Sequence, residues 1–142
     1  MSDRFPFSYR FRIRYSEVDP QGVVFNSRYL EYADMAVVEY WRAMQLGPDD
    51  PDWPECHVGT ATVRFTKPIR MDELIDAHVR IDRFGTASMT WAMELHGAGA
   101  DDLRATIELV YVHVDLATGK SRPLPDRFKA RVLNFQSDPA PC

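Results

Sequence analysis

Asp19 is the residue of this chain best placed to do chemistry. It lies in Tyr15-Ser-Glu-Val-Asp-Pro-Gln-Gly-Val-Val-Phe-Asn-Ser-Arg-Tyr29, where a Pro/Gly turn separates a strand-like segment from a long helical one. A carboxylate held there sits a few residues from a helix N-terminus, whose unpaired N–H groups and positive dipole end favour developing negative charge. That combination suits attack on a carbonyl. Asp19 would act as nucleophile or as general base on a water, and backbone N–H groups over Val23-Val-Phe-Asn26 would meet the carbonyl oxygen. The plain alternative is an Asp-Pro turn in which the Asp bonds nearby N–H groups and does nothing else. Gly22 reads either as a turn glycine or as a point of close approach to a ligand, and Asn26 either as a helix N-cap or as a substrate contact.

Other candidates carry weaker signals. Asp34, near the edge of the helix's apolar face, reads as a half-buried carboxylate held by a backbone or tyrosine hydrogen bond. His57, His78, His96 and His113 are widely separated, and neither a Ser/His/Asp order nor a GxSxG, GxGxxG or GxxxxGK[ST] motif occurs. Arg64, Lys67, Arg70 and Arg83 fall near strand ends. They read first as solvated charges and second as contacts to the phosphates of a nucleotide-like carrier. Cys56 and Cys142 have no Cys/His ligand spacing, so neither a disulfide nor a metal site is expected.

The elements that must position Asp19 follow from periodicity. Tyr9, Phe11, Ile13 and Tyr15 alternate with Arg10, Arg12, Arg14 and Ser16, which is the pattern of a strand. From Arg28 to Leu46 the spacing becomes helical, with Tyr29, Leu30, Ala33, Val37, Tyr40, Trp41 and Met44 on one face and Gly47-Pro48 as the stop. Asn26 or Ser27 is placed to cap its start. After a Pro/Asp-rich loop, Val58 to Thr66 supplies a strand. Ile75 to Asp82, Ala87 to His96 and Leu103 to Val114 supply three more, each with one apolar face. Short links favour antiparallel neighbours, so the expectation is an α+β fold with the helix on one side of the sheet and solvent on the other. Asp126 to Leu133 reads as a short terminal helix and residues 137–142 as a loose tail.

Whole-chain numbers restrict the function class. At 142 residues, with 45% hydrophobic and 27% charged side chains, one domain spanning 1–142 is expected. A formal net charge of −4 argues against nucleic acid as a partner, because phosphate binding needs clustered excess Lys and Arg. No apolar run approaches the roughly 18 residues of a membrane span. The first residues carry Asp3, Arg4 and Pro6 where a signal peptide would be apolar, so a cytoplasmic location is expected.

The stretch from Tyr15 through Asn-Ser-Arg-Tyr-Leu-Glu-Tyr-Ala-Asp34 resembles the 4-hydroxybenzoyl-CoA thioesterase-like branch of the hotdog-fold acyl-CoA thioesterases. Arg64-Phe-Thr-Lys-Pro-Ile-Arg-Met-Asp-Glu-Leu74, the Gly85 turn and Val114-Asp-Leu-Ala-Thr-Gly-Lys120 look like that family too. The resemblance implies a curved antiparallel sheet of about five strands wrapped around one long central helix. It implies homodimers joined sheet edge to sheet edge, or homotetramers built from them, with active sites between subunits and an acyl-CoA thioester as substrate without a cofactor. On this resemblance Asp19 is the catalytic carboxylate and the backbone N–H near Asn26 polarises the thioester carbonyl. Gly22 matches the family turn, Tyr29 matches an aromatic lining the acyl pocket, and Val24 and Phe25 are taken with them as substrate-binding. Two other classes stay open: an enoyl-thioester hydratase or dehydratase, which calls for a histidine close to the acid, and an acyl-CoA-binding module without turnover.

Overall fold

A computed structural model describes residues 4–137 of the protein. Five strands form one antiparallel sheet in the order β1-β3-β4-β5-β2: β1 (Phe7–Arg12), β2 (Cys56–Phe65), β3 (Leu74–Phe84), β4 (Ser88–Gly97) and β5 (Leu103–His113). Consecutive strands β3, β4 and β5 pair directly, as their short links require. The sequence neighbours β1 and β2 lie at opposite edges. The chain between them must therefore cross four inter-strand spacings, roughly 19 Å. Helix α1 (Arg28–Ala43) makes that crossing; its 16 residues span roughly 24 Å.

The inner face of the sheet and one stripe of α1 form the core. Ile75, Ala77, Val79 and Ile81 of β3 face inward with Met89, Trp91, Met93 and Leu95 of β4 and Ala105, Ile107 and Leu109 of β5, all buried. Against them α1 buries Tyr29, Tyr32, Ala33, Ala36, Val37, Tyr40 and Trp41. Trp91 is the centre of this contact, edge-on to Tyr40 and Trp41 at 5.0 Å and to Tyr111 at 5.7 Å. Pairs of that geometry add about 0.5–1.5 kcal/mol each beyond the area they bury.

The outer face departs from the expected solvated surface. Asp76, His78, Thr90, His96 and Arg104 are buried there. Charged partners account for two of them, Arg10 forking onto Asp76 at 2.7 and 3.1 Å and Glu94 bonding His96 at 2.9 Å, whereas His78 lies against the Phe5 ring at 5.9 Å with its Nε2 unpaired among the described residues.

Several boundaries also differ from the periodic reading. The first strand ends at Arg12, and Tyr15–Glu17 forms a 3-10 turn that leaves Tyr15 outside, 83% exposed. Leu30 is exposed, while Tyr32 and Ala36 are in. Helix α1 stops before Gly47, with Gln45 at φ +58° and the Leu46 N–H reaching back to Trp41 O at 3.0 Å. A second helix, α2 (Asp126–Ser137), runs one turn past its expected end. Gln136 there explains the extension. Its amide accepts from Ile81 N–H at 2.7 Å and donates to Ile81 O at 3.1 Å, pairing β3 backbone beyond the end of β1. The tail expected from residue 137 is thus helical at Ser137, and its remainder, with Cys142, lies outside the described residues.

Candidate active site

Asp-Pro-Gln-Gly dictates a tight turn, because Asp is favoured at the first position of a type I turn, Pro at the second and Gly at the fourth. The structure has it. Gly22 N–H donates to Asp19 O at 2.9 Å and Asp19 N–H to Val23 O at 2.8 Å. Gly22 takes φ +79°, the left-handed bulge position that closes such hairpins. Val18 bridges Val24, and Phe25 N–H donates to Glu17 O at 3.0 Å, so residues 17–25 form a miniature hairpin leading into α1. Its second edge is held by the loop before β3: Val24 N–H donates to Ile69 O at 2.8 Å, and Val23 bridges Arg70.

The half-buried Asp19 carboxylate accepts one hydrogen bond, from Gln21 N–H to Oδ1 at 2.8 Å. Its second oxygen has no partner among the described residues. Following the hairpin, the N–H groups of Val24 and Phe25 are already used, whereas those of Asn26 and Ser27 have no acceptor among the described residues. Neither Asn26 nor Ser27 caps α1 with its side chain; the first bonds are Arg28 N–H to Phe25 O and Tyr29 N–H to Asn26 O. Two unpaired donors therefore stand at the positive end of α1.

Beside them is a cavity of about 260 Å³ lined by Val23, Val24, Asn26, Tyr29, Phe65, Thr66, Lys67 and Pro68. Tyr29 and Phe65 meet edge to face at 4.8 Å and form its aromatic wall. Of the sequence candidates, Val24, Asn26, Tyr29 and Lys67 line this cavity, while Asp19, Gly22 and Phe25 stand in the adjoining hairpin outside the lining. Val24 and Tyr29 are core residues that also face the cavity; Phe25 is exposed.

A family model described as the thioesterase-like superfamily matches residues 13–132, from the end of β1 into α2. This chain belongs to the thioesterase-like superfamily. Solved structures share its fold. A thioesterase from Thermus thermophilus, solved with coenzyme A and zinc, superposes with a TM-score of 0.82 at 24% identity, covering 96% of this chain and 98% of that one. Slr0204, a 1,4-dihydroxy-2-naphthoyl-CoA thioesterase from Synechocystis, gives 0.81 at 17% identity over 91% and 96% of the two chains. The PA5185 protein of Pseudomonas aeruginosa gives 0.82 at 20% identity over 96% and 95%. The sheet wrapped on a single long helix is the hotdog arrangement.

Within this thioesterase-like fold the remaining candidates disperse. Asp34 is exposed on α1 and accepts no hydrogen bond among the described residues, in place of the expected half-buried, bonded carboxylate; partial desolvation and then Glu31 raise its pKa. Arg83 pairs with Asp82 at 3.1 Å and Arg64 lies toward the outer face, while Lys67, at the cavity, is tied to Asp102 at 2.9 Å. Burial pushes the Cys56 thiol up to about 12, so it stays protonated and is a poor nucleophile.

Two ion-pair networks that hold the hairpin, one centred on Glu17 and one on Arg104, were not singled out from the sequence. Glu17, 3% exposed, takes bonds from Arg14 and from the Tyr32 hydroxyl. Arg104, buried on β5, forks onto Glu73 at 2.8 Å, bonds Asp102 at 2.8 Å and Pro68 O at 3.0 Å, and so braces the loop that carries Ile69 and Arg70.

Proposed function

We propose that this protein hydrolyses an acyl-CoA thioester to the free acid and CoA, with Asp19 as nucleophile or general base and the N–H of Asn26 polarising the carbonyl. One observation carries this reading. A carboxylate with one oxygen tied and one untied shares a rigid hairpin with two unpaired helix-start donors, next to a cavity walled by aromatics. In either route an oxygen bonds the acyl carbon, the C–S bond breaks and the thiolate leaves with the electron pair. Direct attack gives an Asp19 anhydride that water then cleaves; general-base attack delivers the water in one step. A thiolate leaves readily, so the chemistry needs polarisation and a placed oxygen more than a strong acid, and an oxyanion donor is worth about 100- to 1,000-fold.

The active unit is a homodimer, or a homotetramer built from it, in this reading. Strand β2 is an edge strand of ten residues whose outer side is unpaired among the described residues, with Val58 and Phe65 exposed, a template for a second copy of the same strand. Phe65 lines the cavity at the end of that edge, so a partner there would close the site. Hydrolysis is favoured over enoyl-thioester hydration because neither the hairpin nor the cavity lining contains a histidine.

The test is thiol release from short, medium, long, branched and aromatic acyl-CoAs. Turnover of at least one class supports the reading. Saturable binding with no thiol released would overturn it in favour of a binding module.

A further inference from the structure

Glu17 sits in a place where a carboxylate is expensive, and the hydrolytic reading assigns it no chemistry. Four hydrogen bonds keep it there: from Arg14 N–H at 2.8 Å, from the Arg14 guanidinium at 3.0 and 2.7 Å, and from the Tyr32 hydroxyl at 3.0 Å. Burial pushes its carboxyl up, but these donors more than offset that, and it stays ionised below its ordinary range. Tyr32 is itself fixed, 1% exposed on the inner face of α1 with its ring 4.8 Å from Phe11 of β1. The Glu17 side chain thus ties the chain leaving β1 to α1, and its own carbonyl closes the base of the Asp19 hairpin through Phe25 N–H.

We infer that Glu17, held by Tyr32 and Arg14, is a positioning residue that sets the Asp19 carboxylate against the first turn of α1. The inference rests on the hydrolytic reading of Asp19. Asp19 is two residues along a hairpin whose other anchor, the loop at Ile69 and Arg70, grips only the returning strand. Without the Glu17 side chain, the hydrogen bonds of the outgoing strand are those of its own 3-10 turn and of the hairpin, plus one long bond, 3.4 Å, from the Arg28 guanidinium to Ser16 O, while Val18 keeps its packing on the core. A misplacement of about 1 Å between reacting groups costs on the order of 100-fold in rate.

The experiment compares kcat and KM of wild type, Tyr32→Phe, Glu17→Gln and Asp19→Asn, and of each of the first two variants combined with Asp19→Asn, on the acyl-CoA that wild type turns over best. Tyr32→Phe removes one bond and keeps the packing, so the fold survives even where Glu17→Gln does not express. The expected result is a kcat lowered about 10-fold in Tyr32→Phe and about 100-fold in Glu17→Gln, with KM within about threefold. In the Asp19→Asn background either substitution adds less than about threefold, because a group acting through Asp19 has nothing left to place. Unchanged kcat in Tyr32→Phe, or losses that multiply with that of Asp19→Asn, would overturn the inference.

If wild type releases no thiol from any acyl-CoA, the hydrolytic reading fails by itself, and amide exchange then decides the positioning role. Faster exchange at Gly22 and Phe25 in Tyr32→Phe, with β3 to β5 unchanged, supports it; a uniform change across the sheet removes it.

Discussion

At the scale of single residues the hairpin is a chain of backbone requirements in which Gly22 is the strictest. Its φ of +79° is open to glycine, and a Cβ there would meet no atom within 4 Å, so a substitution is penalised by the backbone alone. Gly22→Ala is expected to lose about 1–2 kcal/mol, the penalty of the left-handed region, and to lower turnover as the turn relaxes. Urea unfolding and steady-state kinetics check both; an unchanged midpoint would mean that the turn rearranges freely. Much of this was readable in the sequence, since Asp-Pro-Gln-Gly states its own turn type. The role of Glu17 was not, because its partner Tyr32 is fifteen residues away and only the docking of α1 brings them together. Nor does spacing reveal which N–H groups remain unpaired: those of Val24 and Phe25 were as eligible as that of Asn26 until the hairpin used them.

At the scale of elements, alternation in β3, β4 and β5 gave the inner face correctly, because a period of two can be read wherever one face is packed. It misled at the end of β1, where Tyr15 keeps the rhythm after the chain has left the sheet. It was also silent on the outer face, where Asp76 and Arg104 owe their burial to charged partners, Arg10 on the next strand and Glu73 in the loop before β3. Those partners predict an acid response. The Arg10 hydrogen bonds hold Asp76 below the ordinary carboxylate range, and Arg104 does the same for Glu73 and, with Lys67, for Asp102. The unfolded chain therefore takes up protons first as the pH falls. Stability that is full above about pH 4 is lost as the pH drops through the lower folded-state values. Burial, then His96, also hold His78 below its ordinary value, so a shallower loss begins below about pH 6.5. Urea midpoints should be flat near neutrality, decline gently below about pH 6 and steeply below about pH 4. A midpoint rising toward about pH 3 would contradict these pairings.

For the whole molecule, the hotdog arrangement leaves β2 as a long edge beside the cavity, with Val58 and Phe65 exposed. In the proposed dimer a second copy covers this edge and the mouth of the cavity. The protein is expected to sediment as a dimer or tetramer at micromolar concentration. Val58→Lys, which would set like charges on two apposed edges, should shift it toward monomer while far-UV circular dichroism stays unchanged. Turnover should fall with the dimer fraction. A monomeric wild type with full turnover would place the whole site within one chain.

The most direct measurement is thiol release by wild type and Asp19→Asn side by side, on the acyl-CoA that wild type prefers. The substitution keeps the size of the side chain and an oxygen for Gln21 N–H, so the hairpin should persist while the carboxylate charge is gone. The kcat of Asp19→Asn should fall at least about 100-fold with the melting temperature and oligomeric state retained. Turnover within a few-fold of wild type in a folded Asp19→Asn protein would contradict it.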